Sequence, residues 1–248
     1  RNGGDIYCAS ASQMFHCNVV KGGENGHLRQ KGKVAELALG YQGSVGALIN
    51  MGALDMGIPE EDLPDIVRRW REANPRICEL WNAFDGAALS VIANGGYARV
   101  GCCTLAREYD AAQGRTYFTI TLPSGRKLFY VEPAIGKNRW GNPSISYAGV
   151  AQDTKKWARV ETYGGKLVEN CVQAIARDCL AHCIEQLEIS GFPVVFHVHD
   201  EVVIEIPPYA GDKAMLDTVI AMMSCPIPWA QGLPLNADGW VGLYFKKD

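Results

Sequence analysis

Along this chain the spacing of apolar residues alternates between a helical and a strand period, and glycines and prolines mark most of the changes. Asp5 can cap a helix running to about Phe15, after which a polar, glycine-bearing loop, KGGENGH, occupies Lys21 to His27. From Leu28 to about Tyr41 the segment LRQKGKVAELALGY places Val34, Leu37, Ala38 and Tyr41 three and four apart, which predicts a second helix. Further helices are predicted over Glu60 to Ala73, with acidic residues in the first turn, and from Pro75 to Asn94, where Gly95 and Gly96 end the pattern. The period then changes. Tyr117 to Leu122 and Lys127 to Glu132 flank Pro-Ser-Gly as the arms of a hairpin, and a loop-rich section holding Lys137, Arg139 and Trp140 leads to about Trp157. A long helix is predicted over Tyr163 to Ile189 and a last one over Lys213 to Ser224. There is no internal repeat.

Between those last two helices the run FHVHDEVVIEI, Phe196 to Ile206, sets charges among apolar residues. Val194, Phe196 and Val198 alternate along one short strand, and Val203 and Glu205 along a second. His199, Asp200 and Glu201 fall at the junction, so Asp200 is expected at a hairpin tip where a carboxylate can face a cleft. The plainer reading makes Asp200 and Glu201 ordinary solvated turn residues. A third makes His197 and His199 metal ligands, since residues two apart on a strand share a side. That site would need more ligands, and His16, His27 and His182 show no comparable pairing.

Composition narrows the class without naming a function. With 48% hydrophobic and 21% charged residues among 248, the chain suits one large or two smaller soluble domains. No run of about 18 apolar residues could span a membrane, and Arg-Asn-Gly-Gly-Asp-Ile-Tyr-Cys has no apolar core of a signal peptide, so a cytoplasmic protein without a membrane partner is expected. The nine cysteines lack CxxC pairs and read as reduced, mostly buried thiols. A net charge of −3 does not advertise a nucleic-acid binder, so any such contact must come from local basic patches at Arg29–Lys33, Arg126–Lys127, Lys137–Arg139 and Lys155–Arg159. The opening, with no initiator Met, reads as a piece of something longer.

One of those patches has helical spacing. Arg29, Lys33, Leu37 and Tyr41 lie four apart, so each step turns by about 40° and the four form a slowly drifting stripe. Two cations can hold a polyanion, Leu37 can pack on a sugar, and Tyr41 can stack near a base. Alternatively Leu37 and Tyr41 are core and the cations are solvated.

Arg29 to Tyr41 resembles the O-helix motif of family A DNA polymerases, R-x3-K-x3-aromatic-x3-Y, and His199-Asp200-Glu201 is similar to that family's third motif. DIYCASASQMF resembles the helix before the O helix, LPSGRKLFY the fingers hairpin, and ETYGGKLVENCVQAIARD the helix entering the palm; GKVAELALGYQGSVGAL has a phage-like wording. The resemblance covers essentially the whole chain.

It implies an α+β fold: a mainly helical fingers subdomain over residues 1–155, then the C-terminal part of an antiparallel-sheet palm with packed helices over 156–248. It implies template-directed DNA synthesis on a primer-template with dNTP substrates and two Mg²⁺ ions. Asp200 would be a magnesium ligand with Glu201 beside it, and His199 would approach the primer terminus. Arg29, Lys33, Leu37, Tyr41 and Tyr7 would meet the nucleotide, with Lys33 also a candidate acid for pyrophosphate. Asn170, Gln173 and Arg177 would follow the DNA minor groove. The family's first motif, whose aspartate shares both metals, has no counterpart here and is expected in an upstream segment, so the chain alone is expected to be inactive. Tyr7 stands where many relatives have histidine, and Leu37 where most have Phe or Tyr. The alternative is a non-catalytic primer-template or nucleotide binding module, or one half of a split polymerase. A phage-encoded protein would work in the host cytoplasm.

Overall fold

The structure, a computed structural model, describes residues 4–138, 141–207 and 213–245. Its mixture of helices and an antiparallel sheet is an α+β fold. The chain divides into two compact units: one takes the residues up to Thr121 together with Lys127–Cys171, and the other takes Leu122–Arg126 and the residues from Val172 onward.

The first unit begins with α1 (Ile6–Phe15), where Asp5 accepts hydrogen bonds from the Tyr7 and Cys8 amides and so satisfies two of the donors a helix start leaves open. A single 3₁₀ turn, Gly26–Leu28, leads into α2 (Arg29–Leu39), and a short helix, α3 (Val45–Asn50), follows. In α4 (Leu63–Ala73), Leu63, Ile66, Val67 and Trp70 are buried at the spacing of one helical face, with Pro64 in the first turn where its missing N–H costs nothing. Helix α5 (Pro75–Asn94) buries Trp81, Phe84, Ala88, Val91 and Ile92 and stops at Gly95, which takes φ of 77°. Trp70 and Trp81 stack with centroids 5.9 Å apart, joining α4 to α5.

Six antiparallel strands then form a sheet in sequence order: β1 (Tyr97–Val100), β2 (Cys103–Asp110), β3 (Arg115–Thr121), β4 (Lys127–Lys137), β5 (Pro143–Val150) and β6 (Trp157–Thr162). Leu105, Ile120, Phe118 and Tyr130 are cross-strand neighbours on its buried face, against which α5 packs. The expected hairpin around Pro-Ser-Gly is present, but the section read as loop-rich is largely strand. A register shift between Val131 and Ala134, with Glu132 at φ of 48°, breaks the alternation that would have announced β4. Pro143 disguises the start of β5, where an edge of the ladder tolerates it. Arg139 and Trp140 lie outside the described residues.

Helix α6 (Gly164–Ile189) falls in the first unit as far as Cys171 and in the second beyond it. In the second unit the turn at Ser124–Arg126 is tied to α6. Asp178, 9% exposed, accepts from Ser124 Oγ and from Arg126 Nε at 2.6 Å each, and Arg126 Nη2 donates to Ala174 O. A two-stranded hairpin, β7 (Val194–Val198) and β8 (Glu201–Ile204), and α7 (Lys213–Met223) complete the unit. All nine cysteines are free thiols, five of them buried. Among the described residues no helix is long and apolar enough to cross a membrane.

Candidate functional site

The expected residues fall into two groups, one in each compact unit. In the first, Tyr7 sits on α1, and Arg29 and Lys33 lie one turn apart on α2. Gly32 lets the two helices touch through their backbones: a Cβ there would lie 2.0 Å from Tyr7 O and 2.9 Å from Ala11 N. The crossing brings both cations over the Tyr7 ring, Arg29 Cζ at 5.0 Å and Lys33 Nζ at 5.9 Å from its centroid.

Asp5 completes this corner. Its Oδ1 caps α1, while its Oδ2 accepts a hydrogen bond from Arg29 Nε at 2.7 Å. That bond from Arg29 holds the Asp5 carboxyl below its usual pKa and raises that of the guanidinium. Among the described residues the two Nη groups of Arg29, and the Lys33 ammonium, have no carboxylate partner. The arrangement can therefore offer an anion a planar donor pair and a point charge beside an aromatic ring.

Farther along the stripe Leu37 is 44% exposed. Tyr41 is not on the same helix, as its spacing predicts, because α2 ends at Leu39 and Gly40 closes it through its amide on Glu36 O. Tyr41 lies half-buried in the turn that follows, and burial, with a smaller contribution from the Glu169 charge, pushes its phenol pKa up. Asn170 also belongs to the first unit. Its Nδ2 donates to the hydroxyl of Tyr130 at 2.9 Å, and Tyr130 is buried against Phe118 and Tyr147, so this amide is turned to the sheet.

In the second unit Val198 pairs with Glu201, which leaves His199 and Asp200 as a two-residue turn. His199 adopts φ of 51°, the left-handed conformation such a tight turn demands. The Asp200 carboxylate is exposed at the tip, and Glu201, also exposed, opens β8. Gln173 and Arg177 lie on exposed positions of α6, four apart and so on one face, and Arg177 Nη2 is 3.3 Å from His197 Nε2. Strand β7 of the hairpin and this face of α6 thus approach each other at His197 and Arg177.

The reading of His197 and His199 as paired ligands loses its premise, because His199 has left the strand for the turn and the two no longer alternate. Among the described residues no group of three or more His, Cys, Asp or Glu is placed to hold a metal ion. Asp200 and Glu201 are hard oxygen donors of the kind Mg²⁺ takes, so they fit such an ion in chemistry though not in number.

Two contributors escaped the sequence reading. Asp5 was legible only as a cap, since nothing in the sequence pairs it with Arg29. Gly32 carried a usable signal: a glycine inside a helical pattern costs about 1 kcal/mol relative to alanine and implies a close approach.

Compared with known proteins, the chain is 46% identical over 252 residues to a protein described as a DNA polymerase from Bacillus phage SP02. The match takes in 99% of this chain and 37% of that protein, so the chain spans little more than a third of its relative's length. No family model matches it, and no solved structure gives a significant match. Over nearly its whole length, this chain is a homologue of part of a phage DNA polymerase.

Proposed function

We propose that this chain is the fingers (residues 1–155) and C-terminal palm (156–248) portion of a family A, template-directed DNA polymerase, which adds deoxynucleotides to a primer 3′-hydroxyl. The observation that carries the reading is the corner at Tyr7, where Arg29 and Lys33 stand over one ring on a helix whose exposed edge continues to Leu37. Homology to a phage DNA polymerase supports it.

In this reading Arg29 and Lys33 bind the triphosphate of the incoming dNTP. Arg29 is oriented by Asp5 so that its Nη groups face the phosphates, and the Lys33 ammonium can give a proton to the departing pyrophosphate. Leu37 packs against the sugar and Tyr41 against the base. Gln173 and Arg177, with Asn170, follow the minor groove of the primer-template, and His199 approaches the primer terminus. Asp200, with Glu201 beside it, would hold one side of a pair of Mg²⁺ ions. When bound, those ions supply an acidified 3′-hydroxyl and charge compensation for the triphosphate. Two carboxylates do not complete such a site, so a further aspartate is assigned to an upstream segment of the polymerase.

Primer extension tests this. The chain by itself, and the chain joined to the upstream part of its polymerase, are given primer-template, dNTPs and Mg²⁺. Extension by the joined protein and none by the chain alone is expected. Extension by the chain alone overturns the divided metal site, and no extension by either protein, with primer-template still bound, favours a non-catalytic binding module.

A further inference from the structure

The turn after α2 is held with more care than a connecting loop needs. Gln42 adopts φ of 68°, which a residue with a Cβ rarely enters without compensation. Its side chain supplies the compensation: Gln42 Oε1 accepts a hydrogen bond from the amide of Gly165 at 2.8 Å, one of the donors left open in the first turn of α6. Only glycine permits this contact. A Cβ on Gly165 would lie 2.4 Å from Gln42 Cβ and 2.6 Å from Tyr41 O.

The neighbouring residues are fixed in the same way, all within the first unit. Trp81 Nε1 donates to Gly40 O at 3.2 Å, and Arg71 Nη2 donates to Gly43 O at 3.1 Å. Gly164 donates to Asp85 Oδ1 at 2.9 Å, and a Cβ on it would meet Trp81 O at 2.0 Å. The start of α6 is thus wedged between Tyr41–Gln42 and Trp81–Asp85. Gly40, Gln42 and Gly43 are each tied down through a polar atom, and Tyr41 is the residue they enclose. Glu169, four residues beyond Gly165 on α6, lies close enough to act on the Tyr41 phenol.

If the turn needed only its backbone shape, glycine at position 42 would serve better than glutamine, because it enters the left-handed region freely. We infer that Gln42 is a positioning residue: its amide, bonded to Gly165, fixes the main chain beneath Tyr41 so that the ring meets the nascent base pair in one place. The inference rests on the proposed role of Tyr41 as a nucleotide contact.

Single-nucleotide incorporation by the complete polymerase tests it, with kcat and KM measured for matched and mismatched dNTPs. Gln42→Gly removes the amide while relieving the backbone, Gln42→Glu keeps an acceptor of the same reach, and Tyr41→Ala removes the ring. For Gln42→Gly the expected result is a loss of discrimination of roughly fivefold or more, expressed mainly in KM for the matched dNTP, with Tm unchanged. Gln42→Glu should restore the wild-type ratio, and Tyr41→Ala should lose at least as much as Gln42→Gly. Wild-type discrimination in Gln42→Gly alongside a loss in Tyr41→Ala overturns the inference and leaves the Tyr41 assignment standing. No change in Tyr41→Ala removes that assignment and the inference with it. A lowered Tm in Gln42→Gly, with discrimination not rescued by Gln42→Glu, would make Gln42 a structural residue only.

Discussion

Asp5 and Arg29, on opposite sides of the α1–α2 crossing, meet through a 2.7 Å hydrogen bond from Arg29 Nε to Asp5 Oδ2, and the same carboxylate caps α1. The bond from Arg29 lowers the Asp5 pKa, so the folded state holds this proton more weakly than the unfolded chain does. Its contribution to stability is complete above the ordinary aspartate pKa and is lost as pH falls through the lowered one. Titration of the Asp5 carboxyl by NMR should find it below the ordinary value. In Arg29→Met it should return toward that value, and Tm should fall at neutral pH while its decline in acid becomes shallower, the two proteins converging below the lowered pKa. An Asp5 that titrates normally in the wild type would contradict the pairing.

Lys33 has no carboxylate partner among the described residues, so its removal costs the fold little. In the complete polymerase Lys33→Ala should lower kcat/KM for dNTPs by orders of magnitude while Tm stays near the wild-type value. Unchanged kcat/KM would mean that the ammonium does not meet the triphosphate.

Leu37 is 44% exposed, and in the proposed role it would offer the sugar a small flexible surface where a ring would press on it. Leu37→Tyr should change discrimination against 3′-deoxynucleotides without altering DNA affinity, as measured by paired incorporation and binding assays. Equal discrimination by both proteins would show that this edge of α2 faces elsewhere.

Gly32 allows α1 and α2 to touch, and the first atom an added Cβ meets is backbone, Tyr7 O, which cannot swing away. Gly32→Ala should therefore lower unfolding stability by about 1–3 kcal/mol or more, despite alanine's better helix propensity. It should also raise KM for dNTPs, because the Tyr7 ring moves away from both cations. Denaturant unfolding with no loss of stability would contradict the close crossing.

Much of the fold was legible because its periods are long and clean. α2, α5 and α6 follow from apolar spacing and from the glycines and prolines at their ends, and the β3–β4 hairpin follows from Pro-Ser-Gly. β1, β2, β5 and the far end of β4 were not, since Cys102–Cys103, Pro143 and the irregularity after Val131 interrupt the alternation by which a strand is recognised. At the site, four-residue spacing put Arg29, Lys33 and Leu37 on one helix. The glycine at position 40 marked the end of α2 before Tyr41, but the spacing could not reveal that Asp5 engages Arg29 or that Asn170 turns to Tyr130, because each depends on a tertiary contact.

In the proposed function Asp200, exposed at the tip of the β7–β8 turn, is the residue that would hold catalytic Mg²⁺. Asn in its place keeps the size and loses the charge that a hard dication requires. The most direct measurement is Mg²⁺-dependent primer extension by the complete polymerase carrying Asp200→Asn, with primer-template affinity measured on the same preparation. Extension should be abolished while DNA binding, expected to rest on Lys and Arg contacts and to weaken with salt, should stay near the wild-type value. Full extension by the Asn variant would contradict the assignment of the metal to this turn.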